Sequence, residues 1–124
     1  MSYTLYAHLR CSTCKKAVQF LQKHHIEHTV KDIQLSPPSL QELEKMAEHK
    51  HFEIKKLFNT SGMLYRSLQL NQTLSSLSTH EALLLLSKHP MLIKRPFLLL
   101  EDQGLVGFKE KEWQSAFHSQ SDSK

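Results

Sequence analysis

Residues 3–14 read YTLYAHLRCSTC, and this stretch decides the fold. Its first part, Tyr3 to Ala7, is rich in β-prone residues and alternates in character, which predicts a strand. From the second cysteine onward, residues suited to burial recur at helical spacing, at Cys14, Ala17, Val18 and Leu21. Residues 26–33 predict a second strand. A strand, a helix and a strand in this order predict a βαβ unit with two parallel strands.

The middle of the chain, residues 36–90, is predicted to be mainly helical. Two capping boxes each open a helix, one at residues 39–42 (SLQE) and one at residues 78–81 (STHE). Residues 52–58 predict a short helix between them, and residues 59–62 (NTSG) predict a turn. We therefore interpret this segment as a helical insertion subdomain.

Strand character returns toward the C-terminus. Residues 97–100 and 105–108 are predicted to form a short hairpin. A last helix is predicted for residues 109–117, and we expect the polar tail, residues 119–124, to be disordered. The elements add up to a single domain, residues 1–118, of the α/β class, in which a mixed four-stranded sheet has the order βαβ, insertion, ββα along the chain.

Size and charge restrict what the protein can be. A chain of 124 residues, 40% of them hydrophobic, suits one domain with one core. Its 16 Lys and Arg against 12 Asp and Glu give a net charge of +4 that is scattered along the sequence, so we expect no direct nucleic-acid binding. We see no signal peptide and no apolar run near the ~20 residues of a membrane span, and we expect a cytoplasmic protein. Structural disulfides are rare in a reducing cytosol, so the two cysteines need another explanation.

The spacing Cys-x-x-Cys at a strand-to-helix junction is typical of thiol redox sites. If Cys11 directly precedes the helix, the N–H groups of Thr13 and Cys14 point toward its sulfur, and the positive end of the helix dipole adds to their effect. Basic neighbours contribute further positive charge, namely Arg10, Lys15 and Lys16. Because the thiolate is the reactive form of cysteine, we expect an activated Cys11 with a lowered pKa.

The two cysteines are predicted to have different roles. Cys11 lies at the exposed mouth of the helix and Cys14 begins its buried face, so Cys11 would attack a disulfide or an oxidised substrate and Cys14 would then displace the product. Two alternatives stay open at this point. Zinc binding needs further ligands, and none of the nine histidines has a convincing partner spacing, so we expect no metal. Alternatively, both cysteines are buried and inert.

Three segments taken together resemble a known family. They are residues 11–17 (CSTCKKA), 57–62 (LFNTSG) and 89–96 (HPMLIKRP). They are similar to the ArsC/Spx family, which comprises arsenate reductase-like proteins of thioredoxin fold and the Spx-type redox regulators of bacterial transcription. The resemblance extends from Tyr3 to Phe117 and implies a thioredoxin-like fold with a helical insertion.

The resemblance also implies how the rest of the site is built. The bond between Arg95 and Pro96 would be a cis peptide facing the cysteines, and Arg95 would lie close to Cys11. Its permanent charge could there hold the thiolate or a bound oxyanion. The alternative for Arg95 is an ion pair on the surface. The implied substrate contacts are Arg10, Ser12, Thr13, Asn59 and Pro96.

Arsenate reductases of this type hold the oxyanion with arginines from three places. Arg95 matches one of them, whereas the second place falls on Asn59 and the third falls near Phe108. A dianion in a partly dry site needs paired donors, so the two missing charges weaken the case for arsenate. Lys109 or Arg66 could substitute.

Two functions follow from the resemblance. The first is a thiol oxidoreductase that acts on a small oxyanion or a thiol or disulfide substrate and is recycled by glutathione, glutaredoxin or thioredoxin, without a bound cofactor. The second is a redox-sensing regulator that forms the same disulfide and binds the α subunit of RNA polymerase. The glycine that helps this contact in Spx-type regulators has no clear counterpart in residues 48–52 (EHKHF), where bulkier side chains hinder close approach of the backbone.

Overall fold

A computed structural model, which describes residues 2–122 and the side chains up to residue 118, shows one four-stranded sheet. The strands are β1 (Tyr3–Ala7), β2 (His28–Asp32), β3 (Phe97–Leu99) and β4 (Gly104–Val106). Their order across the sheet is β2-β1-β3-β4. The β1–β2 pair is parallel and the other two pairs are antiparallel, so the predicted mixed sheet is confirmed.

The helix of the βαβ unit, α1, spans Ser12–Lys23. The strand that follows it is shorter than the predicted 26–33, because the N–H of Ile26 donates to the carbonyl of Leu21 (2.9 Å) and so belongs to the turn that closes the helix. His25 in this turn has a positive φ of 54°. The turn therefore delays the start of β2 to His28.

The insertion contains two longer helices, α2 (Leu40–His49) and α5 (Thr79–Lys88). Both begin at the capping boxes that the sequence predicts. At α2 the N–H of Glu42 donates to Ser39 Oγ (3.1 Å), and the N–H of Ser39 donates to Glu42 Oε1 (2.9 Å). The same carboxylate accepts a hydrogen bond from the Tyr6 hydroxyl (2.9 Å), which ties α2 to β1.

Between these helices the chain is more irregular than predicted. The helix expected over residues 52–58 is only a 3-10 turn, Ile54–Leu57, because the preceding residues His51 and Phe52 both have positive φ and cannot continue a helical path. The sequence patterns did not predict two short helices, α3 (Met63–Ser67) and α4 (Leu70–Thr73). Two further 3-10 turns lie at Leu74–Ser76 and Pro90–Leu92.

The last helix, α6, spans Glu110–Asp122 and corrects our expectation for the C-terminal tail. We predicted a helix that ends at residue 117 and a disordered segment over residues 119–124. Instead, the backbone stays helical to Asp122, because no glycine or proline interrupts the sequence after Glu110. Residues 123 and 124 lie outside the described part of the chain.

The sheet has a hydrophobic core on each face. Alternate strand residues serve opposite faces, so that Leu5 and Leu98 contribute to one core and Tyr6 and Phe97 to the other. The first core packs against α1 and α6, mainly through Ala17, Phe20, Leu21, Trp113 and Ala116. The second packs against the insertion, mainly through Leu43, Met46, Leu57, Leu86 and Leu92. The insertion thus covers one face of the sheet.

The helices are short, and the longest, α6, has 13 residues. Over residues 2–122, none combines the length and the apolar character that crossing a membrane requires.

Candidate redox site

The turn between β1 and α1 places Cys11 at the mouth of the helix. The N–H of Cys11 donates to the carbonyl of His8 (3.1 Å), which closes the turn. Cys11 itself is the N-cap, with an extended backbone, and its sulfur accepts a hydrogen bond from the N–H of Cys14 (3.3 Å). The sulfur therefore occupies the position in which a cap oxygen usually satisfies the free N–H groups of a helix. Negative charge on that sulfur is favoured by the same groups and by the helix dipole.

Cys14, one turn into the helix, is buried, with only 2% of its surface exposed. It belongs to the core cluster on the α1 face of the sheet. Its sulfur accepts a hydrogen bond from the N–H of His8 (3.5 Å). Cys11, in contrast, is half-buried, and both cysteines are free thiols. The contrast in exposure that the sequence predicts is confirmed.

Arg95 reaches the site from the segment before β3. The bond between Arg95 and Pro96 is cis, as predicted. The guanidinium lies close enough to Cys11 for its N–H groups and its charge to lower the pKa of that thiol. Its Nη1 also lies 3.9 Å from Met91 Sδ. The alternative of a surface ion pair is wrong, because Arg95 is half-buried and forms no ion pair within residues 2–118.

The environment moves the pKa values of the two thiols in opposite directions. Burial alone would raise the pKa of Cys11, but the hydrogen bonds from Cys14 and the hydrogen bond and charge of Arg95 outweigh it, and the net pKa is lowered. Burial raises the pKa of Cys14 to about 12; the His8 hydrogen bond opposes this effect and the neighbouring Cys11 adds to it. As the pH rises, Cys11 therefore loses its proton before Cys14 does.

The two alternatives to a redox role for the cysteines are inert burial and zinc binding. The alternative in which both cysteines are buried and inert does not fit, because Cys11 is half-buried and caps a helix. Within residues 2–118, no three His, Cys, Asp or Glu side chains come together in a way that could hold a metal ion.

The other predicted substrate contacts near Cys11 lie in the same turn. Arg10 and Ser12 are exposed, and Thr13 is half-buried in the first turn of α1. The N–H of Arg10 donates to His8 Nδ1 (3.3 Å). Pro96 is buried beside Arg95. These positions are compatible with substrate contact, which stays a prediction.

Asn59 lies on a segment that runs beside the residues just before Arg95. Its N–H donates to the carbonyl of Leu92 (2.7 Å). Its side-chain amide packs over Gly62, where a Cβ would lie only 2.8 Å from Asn59 Nδ2. Among the described residues, no hydrogen bond joins this side chain to Cys11 or Arg95. Its role in substrate binding also stays a prediction.

Near the place where the resemblance implies a third arginine, the chain has a packed aromatic residue. Phe108 stacks edge-on against Trp113 (5.1 Å between ring centroids) and Phe20 (5.8 Å). The two candidate substitutes, Lys109 and Arg66, are both exposed. In residues 2–118, neither makes a hydrogen bond to Cys11.

Sequence reasoning missed His8, whose contacts with the two cysteines come from its backbone. The carbonyl of His8 holds the N–H of Cys11, and its N–H holds the sulfur of Cys14. Any non-proline residue offers the same backbone groups, so the residue type carried no signal. Only its position could have indicated this role, because His8 directly follows the last residue of β1.

Comparison with known proteins places this geometry in a family. The model of the ArsC family matches residues 6–116, which is most of the chain. This region includes both cysteines and Arg95.

Individual relatives agree with this match. YusI of Bacillus subtilis (strain 168) is 42% identical over 114 residues, which cover 92% of this chain and 97% of that protein. A crystal structure of a "possible arsenate reductase" from Streptococcus mutans UA159 superposes with a TM-score of 0.82 at 36% identity, covering 90% of this chain and 97% of the other. The global transcriptional regulator Spx 2 of Bacillus cereus is 28% identical over 108 residues, which cover 87% of this chain and 81% of the regulator. The chain shares the thioredoxin-like fold with the Streptococcus mutans structure, and the protein is a member of the ArsC family.

Proposed function

We propose that the protein is a thiol oxidoreductase in which Cys11 is the nucleophile, Cys14 is the resolving thiol and Arg95 stabilises the thiolate. One observation carries the proposal: the Cys11 sulfur receives a helix N–H and the Arg95 guanidinium, while its partner three residues on is kept buried. An exposed thiolate with a shielded second thiol is the arrangement that disulfide exchange needs.

The chemistry is a two-electron reduction of a substrate disulfide. The Cys11 thiolate attacks one substrate sulfur, the substrate S–S bond breaks, and the first substrate thiolate leaves. Cys14 then loses its proton and attacks the Cys11 sulfur, which forms the Cys11–Cys14 disulfide and releases the second thiolate. The two electrons pass from the protein dithiol to the substrate, and the substrate thiolates take up protons according to their own pKa values.

The first step also prepares the second. While Cys11 is a thiolate, its charge helps to raise the pKa of Cys14. Once Cys11 is part of a mixed disulfide, that charge is gone, and loss of the Cys14 proton becomes easier. The geometry thus favours an ordered reaction. Glutathione, glutaredoxin or thioredoxin in the cytoplasm is our proposal for the reductant that restores the dithiol.

A disulfide is the better substrate than arsenate for this site. In the described structure Arg95 is the one arginine that lowers the pKa of Cys11, and the other two arginine positions implied by the resemblance fall at Asn59 and near Phe108. A single guanidinium suffices for one thiolate, whereas an arsenate dianion needs several charged donors.

Turnover tests the proposal directly. With a glutathionylated peptide, glutathione and glutathione reductase, the purified protein should consume reducing equivalents catalytically, and Cys11→Ser should abolish this activity. With arsenate in place of the peptide we expect at most a trace of turnover. Turnover that persists in Cys11→Ser would contradict the assignment of the nucleophile.

The similarity to Spx 2 supports a second candidate, in which the same disulfide regulates binding to a partner such as the α subunit of RNA polymerase. The segment before the first 3-10 turn argues against it here. His51 and Phe52 adopt the backbone conformation that favours glycine but carry bulky side chains, and Phe52 is 58% exposed. A protein that turns over no disulfide, but whose oxidation changes its capture of RNA polymerase, would favour the regulator over the enzyme.

A further inference from the structure

A basic cleft is connected to the redox site through the chain, because Lys94 lines the cleft and Arg95 is the next residue, and it has no part in the chemistry above. It has a volume of about 640 Å³ and is formed by residues 50–60, by the residue before Arg95, and by residues 106–112. Five lysines line it, namely Lys50, Lys55, Lys56, Lys94 and Lys109. Two carboxylates, Glu53 and Glu112, face the same space, so positive charge is in excess. This set of residues is called the lysine cleft below.

Most of the positive charge in the lysine cleft has no carboxylate partner in the described part of the protein. Lys56 pairs with Glu53 (3.2 Å), and both side chains are more than half exposed. Among the described residues that line the cleft, this is the one ion pair. The ammonium groups of the other four lysines are therefore available to a ligand.

Lys94 connects the lysine cleft to the redox site. It directly precedes Arg95, whose guanidinium lowers the pKa of Cys11. The N–H of Lys94 donates to the carbonyl of Leu57 (2.7 Å). Its stem packs against Gly107, where a Cβ would lie 3.0 Å from Lys94 Cε. The end of the cleft nearest the redox site thus carries a half-buried lysine whose stem is held in place.

We propose that the lysine cleft binds an acidic polypeptide segment of a protein substrate and so presents that substrate's disulfide to Cys11. The proposal rests on the proposed function and names its class of substrate: a protein disulfide flanked by acidic residues.

Three features favour a polypeptide over a small anion. The volume far exceeds that of a single oxyanion. Apolar side chains also line the cleft, from Ile54, Phe58 and Val106, and they suit the aliphatic side chains of a peptide. Val106 belongs to β4, one of the two outer strands of the sheet. An edge strand can pair with an extended backbone.

The carboxylates argue against nucleic acid as the occupant. Glu53 and Glu112 would repel a continuous phosphate backbone, whereas a peptide can place its acidic side chains opposite the lysines alone. Lysine carries a point charge on a flexible stem. It therefore suits acidic segments of varied sequence better than a ligand that needs one fixed geometry.

The test uses the Cys14→Ser variant, in which the reaction stops at the first step. The probes are short peptides with one central cysteine joined by a disulfide to the chromogenic thiol 2-nitro-5-thiobenzoate. Cys11 attacks the peptide sulfur, the S–S bond breaks, and the coloured thiolate is released. Flanking residues are acidic (Glu and Asp), neutral (Gln and Asn) or basic (Lys). We expect the acidic peptide to react at least about fivefold faster than the neutral one at low salt, and the advantage to shrink at high salt.

Two sets of added substitutions locate the effect. Lys55→Gln with Lys109→Gln removes two exposed charges of the cleft, and Lys94→Met keeps the stem that packs on Gly107 but removes the charge. Either should abolish most of the preference for acidic peptides. Lys31→Gln is the matched control, because it removes an exposed charge on β2, at the opposite edge of the sheet from β4, and should leave the preference intact.

An uncharged disulfide, 2,2′-dithiodipyridine, separates the two proposals. If it does not react with Cys11, the proposed function fails. If it reacts but the three peptides react equally fast, the lysine cleft proposal is overturned while the function stands. A single-stranded oligonucleotide that competes better than the acidic peptide would also overturn it, since the cleft would then be a nucleic-acid site.

Discussion

At the scale of single residues, the chemistry depends on what surrounds one sulfur atom. Cys11 is half-buried, which by itself would disfavour its charge. Hydrogen bonds from the thiol and the helix N–H of Cys14, followed by the guanidinium of Arg95, more than offset this effect. At Cys14 the N–H of His8 and the charge of Arg95 also favour the thiolate, but burial dominates. Two identical side chains three residues apart thereby acquire opposite protonation behaviour.

Removing the guanidinium should make Cys11 less reactive. In Arg95→Met we expect the pKa of Cys11 to rise and its rate of alkylation by iodoacetamide at pH 7 to fall by a factor of about three to ten, because less thiolate is present. Arg66→Met is the control, since this exposed arginine on α3 makes no hydrogen bond to Cys11 in the described structure. Equal rates in wild type and Arg95→Met would remove Arg95 from the site.

At the scale of elements, the site depends on how turns direct the helices and strands. The turn from residue 8 to residue 11 sets Cys11 as the N-cap of α1. The turn after α2 carries two consecutive residues with positive φ, His51 at 56° and Phe52 at 61°. Such a conformation costs a non-glycine residue about 1–2 kcal/mol. This strain lies beside the lysine cleft, which begins at Lys50.

Glycine should relieve the strain in that turn. His51 is exposed, so His51→Gly loses little packing, and we expect it to leave the free energy of unfolding unchanged or to raise it by up to about 1 kcal/mol. Glu48→Gly, exposed within α2, should lower it by about 1 kcal/mol. Urea denaturation measures both. A loss at His51→Gly as large as that at Glu48→Gly would contradict the presence of strain in this turn.

At the scale of the whole molecule, the buried thiol couples the redox site to the stability of the fold. A cysteine in the unfolded chain ionises near its ordinary pKa of 9.0, whereas burial raises the pKa of Cys14 to about 12. The unfolded state therefore loses this proton first as the pH rises. The stabilising contribution is complete below pH 9.0 and is lost between 9.0 and about 12.

Unfolding under reducing conditions should reveal this contribution. Between pH 8 and 11 we expect the free energy of unfolding of the wild type to fall by at least about 1 kcal/mol more than that of Cys14→Ala. Only the slopes against pH are compared, because the truncation lowers stability at every pH. Cys11→Ser should keep most of the wild-type slope, and a Cys14→Ala slope as steep as that of the wild type would be inconsistent with the buried thiol as its cause.

Much of this architecture is predictable because local signals agree with the fold. The alternating strand at residues 3–7, the helical period after Cys14 and the capping boxes at Ser39 and Ser78 each reflect local chemistry, and each was confirmed. The misses involve backbone choices that depend on distant contacts. The short helices α3 and α4 are too brief for a periodic pattern.

The candidate site also has features that the sequence predicts and features that it does not. The order of the two thiols follows from their spacing, and the place of Arg95 followed only from the family resemblance. The backbone groups of His8 and the convergence of lysines from three parts of the chain have no local signature, because they arise when β3, β4 and the insertion come together. Tertiary packing decides such features.

The most direct test of the activated thiol is the pH dependence of alkylation at each cysteine, followed by mass spectrometry of the reduced wild-type protein. We expect Cys11 to be modified with a midpoint below 9.0, the ordinary pKa of cysteine, while Cys14 stays unmodified until the solution is strongly alkaline. A Cys11 midpoint at or above that of a free thiol, or modification of Cys14 before Cys11, would contradict the central claim.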